Sequence, residues 1–270
     1  MKPELSSELL LTAKLRLLRM HFEAGVGHIG GNLSSLDILM CLYHRTLGPD
    51  DAFVLSKGHS AGALYVALWS TGALSDADLE TFHRDATRLS GHPPCSGIPA
   101  IQFATGSLGH GPSLASGLAL AKRMQGQPGR VYCLTSDGEW NEGSCWEAAI
   151  FARHQNLANL TLIVDLNGLQ GFGSTKEVAD LDSLAEKFRV FGWHVREIDG
   201  HDVEELSSAL RESADAGTPS VVVAKTTKGN GVSFMEGRMD SHYLPLSDAQ
   251  YAQAVEEVTH FGARFADVSA

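Results

Sequence analysis

The sequence predicts an α/β protein, a parallel sheet with helices on both faces and a helical N-terminal extension. Three observations predict it. From Gly111 onward, short unbroken apolar runs alternate with amphipathic stretches, the pattern of strands buried on both sides. No linker or internal repeat divides the 270 residues, so positions 1–270 read as one domain. The balance of 43% hydrophobic to 20% charged residues is that of a chain with a large core.

The elements follow in order. Leu11, Leu15, Leu18 and Phe22 form a helical stripe that the Gly25–Gly31 stretch terminates. A second helix follows Ser34, with Leu36, Leu39, Met40 and Tyr43 on one side. Ala52–Leu55 reads as a short strand, then a loop with Lys57-Gly58-His59, then a helix to about Thr71. Residues from His83 to Gly111 are too rich in Gly, Pro, Ser and His for long regular elements, and long ordered loops are often functional. The regular part then runs helix Ser113–Met124, strand Arg130–Thr135, helix Ser144–Gln155, strand Leu160–Asp165 and a helix near Ser183–Phe188. Strand Trp193–Ile198, a helix around Val203–Ser213 and strand Ser220–Ala224 complete it. A last helix, Ser247–Phe265 within the closing segment 247–270, follows a Gly-rich loop.

Composition excludes several functions. With 21 basic and 32 acidic residues the net charge is −11, which argues against a nucleic-acid or anionic-membrane surface. No apolar run approaches the roughly 18 residues of a membrane span. Glu4 and Glu8 precede the leucine run at 9–11, wrong for a secretory signal. Cys41, Cys95, Cys133 and Cys145 form no Cys-x-x-Cys pair and read as buried small hydrophobes in a reducing compartment. A cytoplasmic protein is expected.

The chemistry is sought at the carboxyl ends of parallel strands, where such sheets bind ligands. Asp137-Gly138 follows one strand and Asn167 the next, 30 positions on, so both emerge at one edge. One carboxylate and one amide oxygen suit Mg²⁺, which completes its octahedron from phosphates and water. Gly138 lets the backbone approach a phosphate. Asp-Gly alone is usually a turn; the paired spacing is far more specific.

Ser136-Asp137-Gly138 with Asn167-Gly168-Leu169 resembles the thiamine-diphosphate motif that begins Gly-Asp-Gly and ends in Asn. The surrounding residues are similar to the transketolase family: Gly27-His28, Leu55-Ser56-Lys57-Gly58-His59, Gly91-His92-Pro93, Thr105-Gly106-Ser107-Leu108-Gly109, Glu142-Gly143 and Gly231-Val232-Ser233-Phe234-Met235-Glu236. The resemblance implies the thiamine-diphosphate-binding fold. It implies that Asp137, Asn167 and the Leu169 carbonyl hold Mg²⁺, with Ca²⁺ or Mn²⁺ as substitutes. His59, Gly138 and His242 would contact the diphosphate, with Lys228 and Lys57 near it and the Gly106-Ser107-Leu108 backbone along the cofactor. His28 and His92, with His59 and His242, would line the channel for a ketose donor. Glu142 and Glu147 resemble glutamates that link cofactor sites across a dimer.

The histidines make sense beside that inference. Ketol transfer takes and returns hydroxyl protons near neutral pH, the range of imidazole. Taken singly, a Gly-His pair is more often a turn with an exposed ring, the reading for Gly109-His110 and Gly200-His201. Lys225–Lys228 reads equally as a solvated strand end, and Glu142 as a charge favoured at a helix N-terminus. Several residues depart from the family pattern: Ser136 stands for its first glycine, Pro94 for an acidic residue, His110 for a glutamine and Ser241-His242-Tyr243 for Trp-His-Gly.

These enzymes use a second domain that grips the aminopyrimidine and supplies the activating glutamate, and residues 247–270 do not encode one. The expected partner is therefore a C-terminal transketolase subunit carrying that domain, in an α2β2 assembly acting on sugars or sugar phosphates. Two alternatives stand beside this: the α subunit of a 2-oxo acid dehydrogenase or related acyl-transferring enzyme, and a non-catalytic regulatory subunit.

Overall fold

The computed structural model describes residues 2–95, 97–180 and 183–266. It divides into two compact units, one of Thr46–Gly58 with Pro93–Thr226, the other of Met1–Arg45, His59–His92 and Thr227–Ala270.

The first unit holds a five-stranded, all-parallel sheet in the order β1-β2-β3-β5-β4. Its strands are β1 (Ala52–Leu55), β2 (Val131–Ser136), β3 (Leu160–Leu166), β4 (His194–Asp199) and β5 (Ser220–Lys225). The expected strands are present, most shifted by a residue or two at their ends. β5, all Val and Ala between Ser220 and Lys225, is buried and interior, whereas β4 pairs on one side only and leaves Glu197 and Asp199 exposed. That edge position explains why β4 is not an apolar run. Helices Gly111–Met124, Gly143–His154, Leu184–Val190 and Val203–Asp215 alternate with the strands. Trp140, Phe188, Trp193 and Cys145 pack with the strand valines and leucines in one core. Trp140 donates to Thr135 Oγ1 at 3.1 Å and Trp193 to the Ala149 carbonyl at 3.1 Å, so both indoles are buried satisfied.

The second unit is helical. Helix Ser7–Ala24 is capped by Ser6, whose hydroxyl accepts from Leu9 N–H at 3.2 Å, and ends at Gly25 in the left-handed conformation. Its fully buried face is Ala13, Leu17, Leu18, Met20 and His21. Of the expected stripe only Leu18 is fully buried; Leu11, Leu15 and Phe22 are half-buried, and Phe22 stacks on Tyr251 of helix Asp248–Ala266 at 4.2 Å. The second helix starts earlier than expected, at Ile29, and all thirteen residues to Cys41 are buried. It has no polar face because its polar groups bond inward: Asn32 Nδ2 donates to the His28 and His59 carbonyls, and Ser35 Oγ to Gly31 O. The closing helix spans Asp248–Ala266, and residues 267–270 of the expected C-terminal segment lie outside the described residues. Cys41, Cys133 and Cys145 are buried as expected; Cys95 is exposed. Among the described residues no helix is long and apolar enough to cross a membrane.

Candidate active site

In the sheet unit, parallel register places Ser136 beside Asp165, so Asp137 and Asn167 leave adjacent strands at the same edge. Asp137 is buried, and each carboxylate oxygen accepts a backbone N–H: Oδ1 from Gly138 and Oδ2 from Gly168, both at 2.7 Å. Burial, then the neighbouring Asp165, push its pKa up to about 6 despite those donors. A bound cation or a proton would relieve that charge. Asn167 Oδ1 accepts from Leu169 N–H at 3.1 Å, an Asx-type turn that fixes the amide at the start of this loop. Among the described residues no three His, Cys, Asp or Glu side chains converge as a metal cage. A cation here would therefore draw on one carboxylate, one amide and one carbonyl, with ligand oxygens completing the shell. This donor set fits Mg²⁺ with a diphosphate.

Three more polar atoms of this unit bear on the fit. Ser136 Oγ, Gln170 Nε2 and Thr105 Oγ1 are buried with no hydrogen-bond partner among the described residues. They belong to residues directly next to Asp137, Leu169 and Gly106 in the chain. Buried polar atoms are seldom left unpaired, so a polar ligand at this edge is the natural complement.

Two charged residues under the site differ from what the sequence leads one to expect. Lys57, expected near the diphosphate, is fully buried and ion-paired with Asp165, which also accepts from Thr226 Oγ1 and, at 3.3 Å, from Asn167 Nδ2. Glu139 has no motif of its own to mark it, although it lies two residues past Asp137. It is fully buried, accepts from Ser56 Oγ, from Gly109 N–H at 2.9 Å and from Ser136 N–H at 3.3 Å, and so ties three loops together. Gln170 lies against Gly138: a Cβ there would be 2.9 Å from Gln170 Cγ, so the glycine makes room for that side chain. Gly106 and Leu108 are half-buried and Ser107 exposed, and the 105–106 peptide packs on Gly58, where a Cβ would lie 2.8 Å from it. Glu142 and Glu147 are exposed, Glu142 at the start of helix Gly143–His154 and Glu147 within it.

The helical unit gathers the histidines. The His28 ring centroid is 5.7 Å from His59, 5.9 Å from His92 and 5.1 Å from His242. His59 and His242 are 5.7 Å apart. Thus all four expected histidines converge around His28. Its backbone is left-handed, φ 64°, uncommon for a residue with a side chain and frequent at functional sites. His28 N–H donates to the His242 carbonyl at 2.8 Å, and a Cβ on Gly27 would lie 2.4 Å from the Tyr243 carbonyl oxygen. This explains the glycine of Gly27-His28: the backbone carrying His242 passes against it. Lys228 is buried, its ammonium 3.0 Å from His242 Nδ1. Because an ammonium only donates, His242 Nδ1 accepts, and the ring proton is on Nε2.

Burial pulls the His28 pKa below its ordinary value, helped by His92, Lys228 and His83; burial and then His83 do the same for His92. Both rings are therefore neutral near pH 7, able to take a proton. Two further histidines not expected from sequence complete the cluster. His21 and His83 line a small cavity of about 60 Å³ with His28, His59 and His92.

A parallel-sheet edge that presents a buried carboxylate and an amide, in a chain whose helical unit gathers four histidines, suits a cofactor-dependent group-transfer enzyme. Likeness to known proteins supplies the family. The family described as "Transketolase, thiamine diphosphate binding domain" matches residues 9–265. The chain is 41% identical over 249 residues to a 6-deoxy-6-sulfo-D-fructose transketolase subunit of a Clostridium species, covering 88% of this chain and 90% of that protein. It is 39% identical over 254 residues to an apulose-4-phosphate transketolase subunit of Actinobacillus succinogenes, covering 91% and 92%. The crystal structure of Campylobacter jejuni transketolase superposes with a TM-score of 0.84 at 32% identity, over 94% of this chain and 43% of that one. The chain thus matches the subunit-type relatives over nearly their whole length and spans about two fifths of the full-length transketolase. It belongs to the transketolase family, as the thiamine-diphosphate-binding domain, and has the thiamine-diphosphate-binding fold.

Proposed function

We propose that this chain is the N-terminal subunit of a split transketolase that binds thiamine diphosphate and Mg²⁺ in the cytoplasm. With a C-terminal partner it transfers a two-carbon ketol unit from a ketose or ketose phosphate to an aldose-type acceptor. The two compact units act as one functional domain in this reading, which the single family match over 9–265 supports. The observation that carries it is the convergence of His28, His59, His92 and His242 at 5.1–5.9 Å, in a chain that also carries the Asp137–Asn167 edge.

Asp137, Asn167 and the Leu169 carbonyl hold the metal. Gly138, the 106–108 backbone, His59, Lys228 and His242 hold the diphosphate. When bound, thiamine diphosphate supplies the electron sink for breaking a carbon–carbon bond. The protein's part is orientation and proton handling: neutral His28 and His92 accept hydroxyl protons, and His242 donates through Nε2–H. Glu142 and Glu147 face a neighbouring protomer. An open groove of about 1010 Å³, lined by Phe103, Leu114, Leu118 and the 104–107 loop, offers the partner an apolar surface. The relatives of matching length are themselves named as subunits, which supports a partner carrying the pyrimidine-binding domain and its glutamate in an α2β2 assembly.

The test is ketol transfer by the purified chain with thiamine diphosphate and Mg²⁺, with and without the partner. Transfer only in the mixture is expected. Full turnover by the chain alone refutes the split reading. Carbon dioxide release from a 2-oxo acid with no ketose consumed refutes the transketolase reading in favour of a 2-oxo acid enzyme. Cofactor binding by the mixture with turnover of neither substrate class makes the chain a non-catalytic subunit.

A further inference from the structure

Ser136 and Gln170 belong to the same edge as Asp137, yet nothing so far gives either a role. Ser136 ends β2 where the family pattern has glycine, and only 6% of its surface is exposed. Its N–H is spent on Glu139 Oε2 at 3.3 Å, while its Oγ has no partner among the described residues. Gln170 sits in the tight loop after β3, where its N–H donates to the Gly173 carbonyl at 2.9 Å and Leu169 bridges to Ser174. Its side chain lies over Gly138, with Cδ 3.0 Å and Oε1 3.2 Å from where a Cβ would be. Its Nε2, buried, also lacks a partner among the described residues.

The chemistry of these atoms selects the ligand. An amide nitrogen donates two hydrogen bonds and accepts none, so whatever meets Gln170 Nε2 is an acceptor. A cation is thereby excluded as its partner. A hydroxyl can also donate. Two unspent donors beside the one carboxylate assigned to a divalent cation are suited to the anion that such a cation would bring.

We propose that Gln170 and Ser136 recognise the diphosphate, Gln170 through Nε2–H and Ser136 through its hydroxyl, to phosphoryl oxygens. The inference rests on the thiamine-diphosphate reading above. It assigns Gly138 a second purpose: the missing side chain seats the Gln170 carboxamide. It also gives a physical reason for serine in place of glycine at position 136, since the hydroxyl adds a donor without lengthening the turn.

The test is calorimetric titration of the full chain, with its partner subunit present, using thiamine diphosphate and separately inorganic pyrophosphate, both with Mg²⁺. Gln170→Leu should weaken both ligands by a similar factor, roughly 10- to 100-fold, the range for losing a hydrogen bond to a charged group. Gln170→Glu, which sets a carboxylate against the phosphoryl oxygens, should weaken them further than Gln170→Leu. Ser136→Ala should weaken both by a smaller factor, and it carries the test if thermal melting shows Gln170→Leu unfolded. Unchanged affinities in Gln170→Leu and Ser136→Ala, with the wild type binding normally, overturn the inference alone. A wild type that binds neither ligand overturns the thiamine-diphosphate reading itself.

Discussion

Replacing Lys57 by Met tests whether this lysine serves the fold or the ligand. Its ammonium and the Asp165 carboxylate are both fully buried and paired with each other. Met keeps most of the volume and removes the charge, leaving the buried Asp165 without its ion pair to Lys57. Breaking a buried pair from one side costs about 3–5 kcal/mol. At the few degrees per kcal/mol usual for chains of this size, melting should fall by on the order of 10 °C. The deficit has a pH signature. Asp137 has a folded pKa raised to about 6 from 3.8, and Lys57 is among the groups that lower it. In that window the native state binds more protons than the unfolded one, so stability falls as pH rises through it. Removing Lys57 pushes the Asp137 value higher and extends the fall upward, so the gap from wild type should widen between pH 5 and 8. Lys57→Met/Asp165→Asn should recover most of the loss, because no lone charge stays buried. Calorimetric melting of the three variants across that range decides it. A Lys57→Met protein that melts within 2 °C of wild type but loses thiamine-diphosphate affinity would refute the structural role and restore Lys57 as a ligand.

Two other outcomes follow from the same geometry. Asp137→Ala should fold yet lose Mg²⁺-dependent cofactor binding; in the wild type that affinity should fall about tenfold per unit as pH drops below about 6, since metal and proton compete for one carboxylate. Calorimetric titration from pH 5 to 8 reads both. Gly27→Ala sets a methyl 2.4 Å from the Tyr243 carbonyl, a backbone atom that cannot swing aside. Ketol transfer should drop at least tenfold, and His28 ring resonances in NMR spectra should move, while helix content by circular dichroism stays near wild type.

What the sequence made legible is uneven for physical reasons. The sheet could be read because strands buried on both faces become apolar runs, as in Val221-Val222-Val223. The four histidines could be read because each lies in a short motif, three of them after a glycine. The buried helix Ile29–Cys41 could not, since Asn32 and Ser35 are satisfied by carbonyls of His28, His59 and Gly31, and periodicity registers them only as polar. Lys57 with Asp165, and Glu139 with Ser56 and Gly109, were invisible for a related reason. Their partners lie 108, 83 and 30 positions away, and no local pattern marks a charge as buried. Gln170 was hidden because its position is defined by Gly138, the residue it covers.

The two sites treat charge in opposite ways, and the difference bears on how one chain serves both binding and proton transfer. Beneath the sheet edge, Lys57 answers Asp165, and Glu139 is held by a hydroxyl and two backbone donors. Asp137 accepts from two backbone amides, and burial followed by the neighbouring Asp165 raises its pKa to about 6 although Lys57 acts against them. In the proposed reading a cation at Asp137 relieves the charge that burial and Asp165 disfavour. In the helical unit the opposite holds. Burial first, and then the neighbouring basic side chains, lower the His28 and His92 pKa values and keep both rings uncharged at neutral pH. A protonated ring there would face Lys228 and its fellow histidines, so any proton it accepts is readily returned. In the reading proposed above, the edge holds charge in place while the histidines pass protons on, and a reaction that anchors a diphosphate while cycling hydroxyl protons uses both.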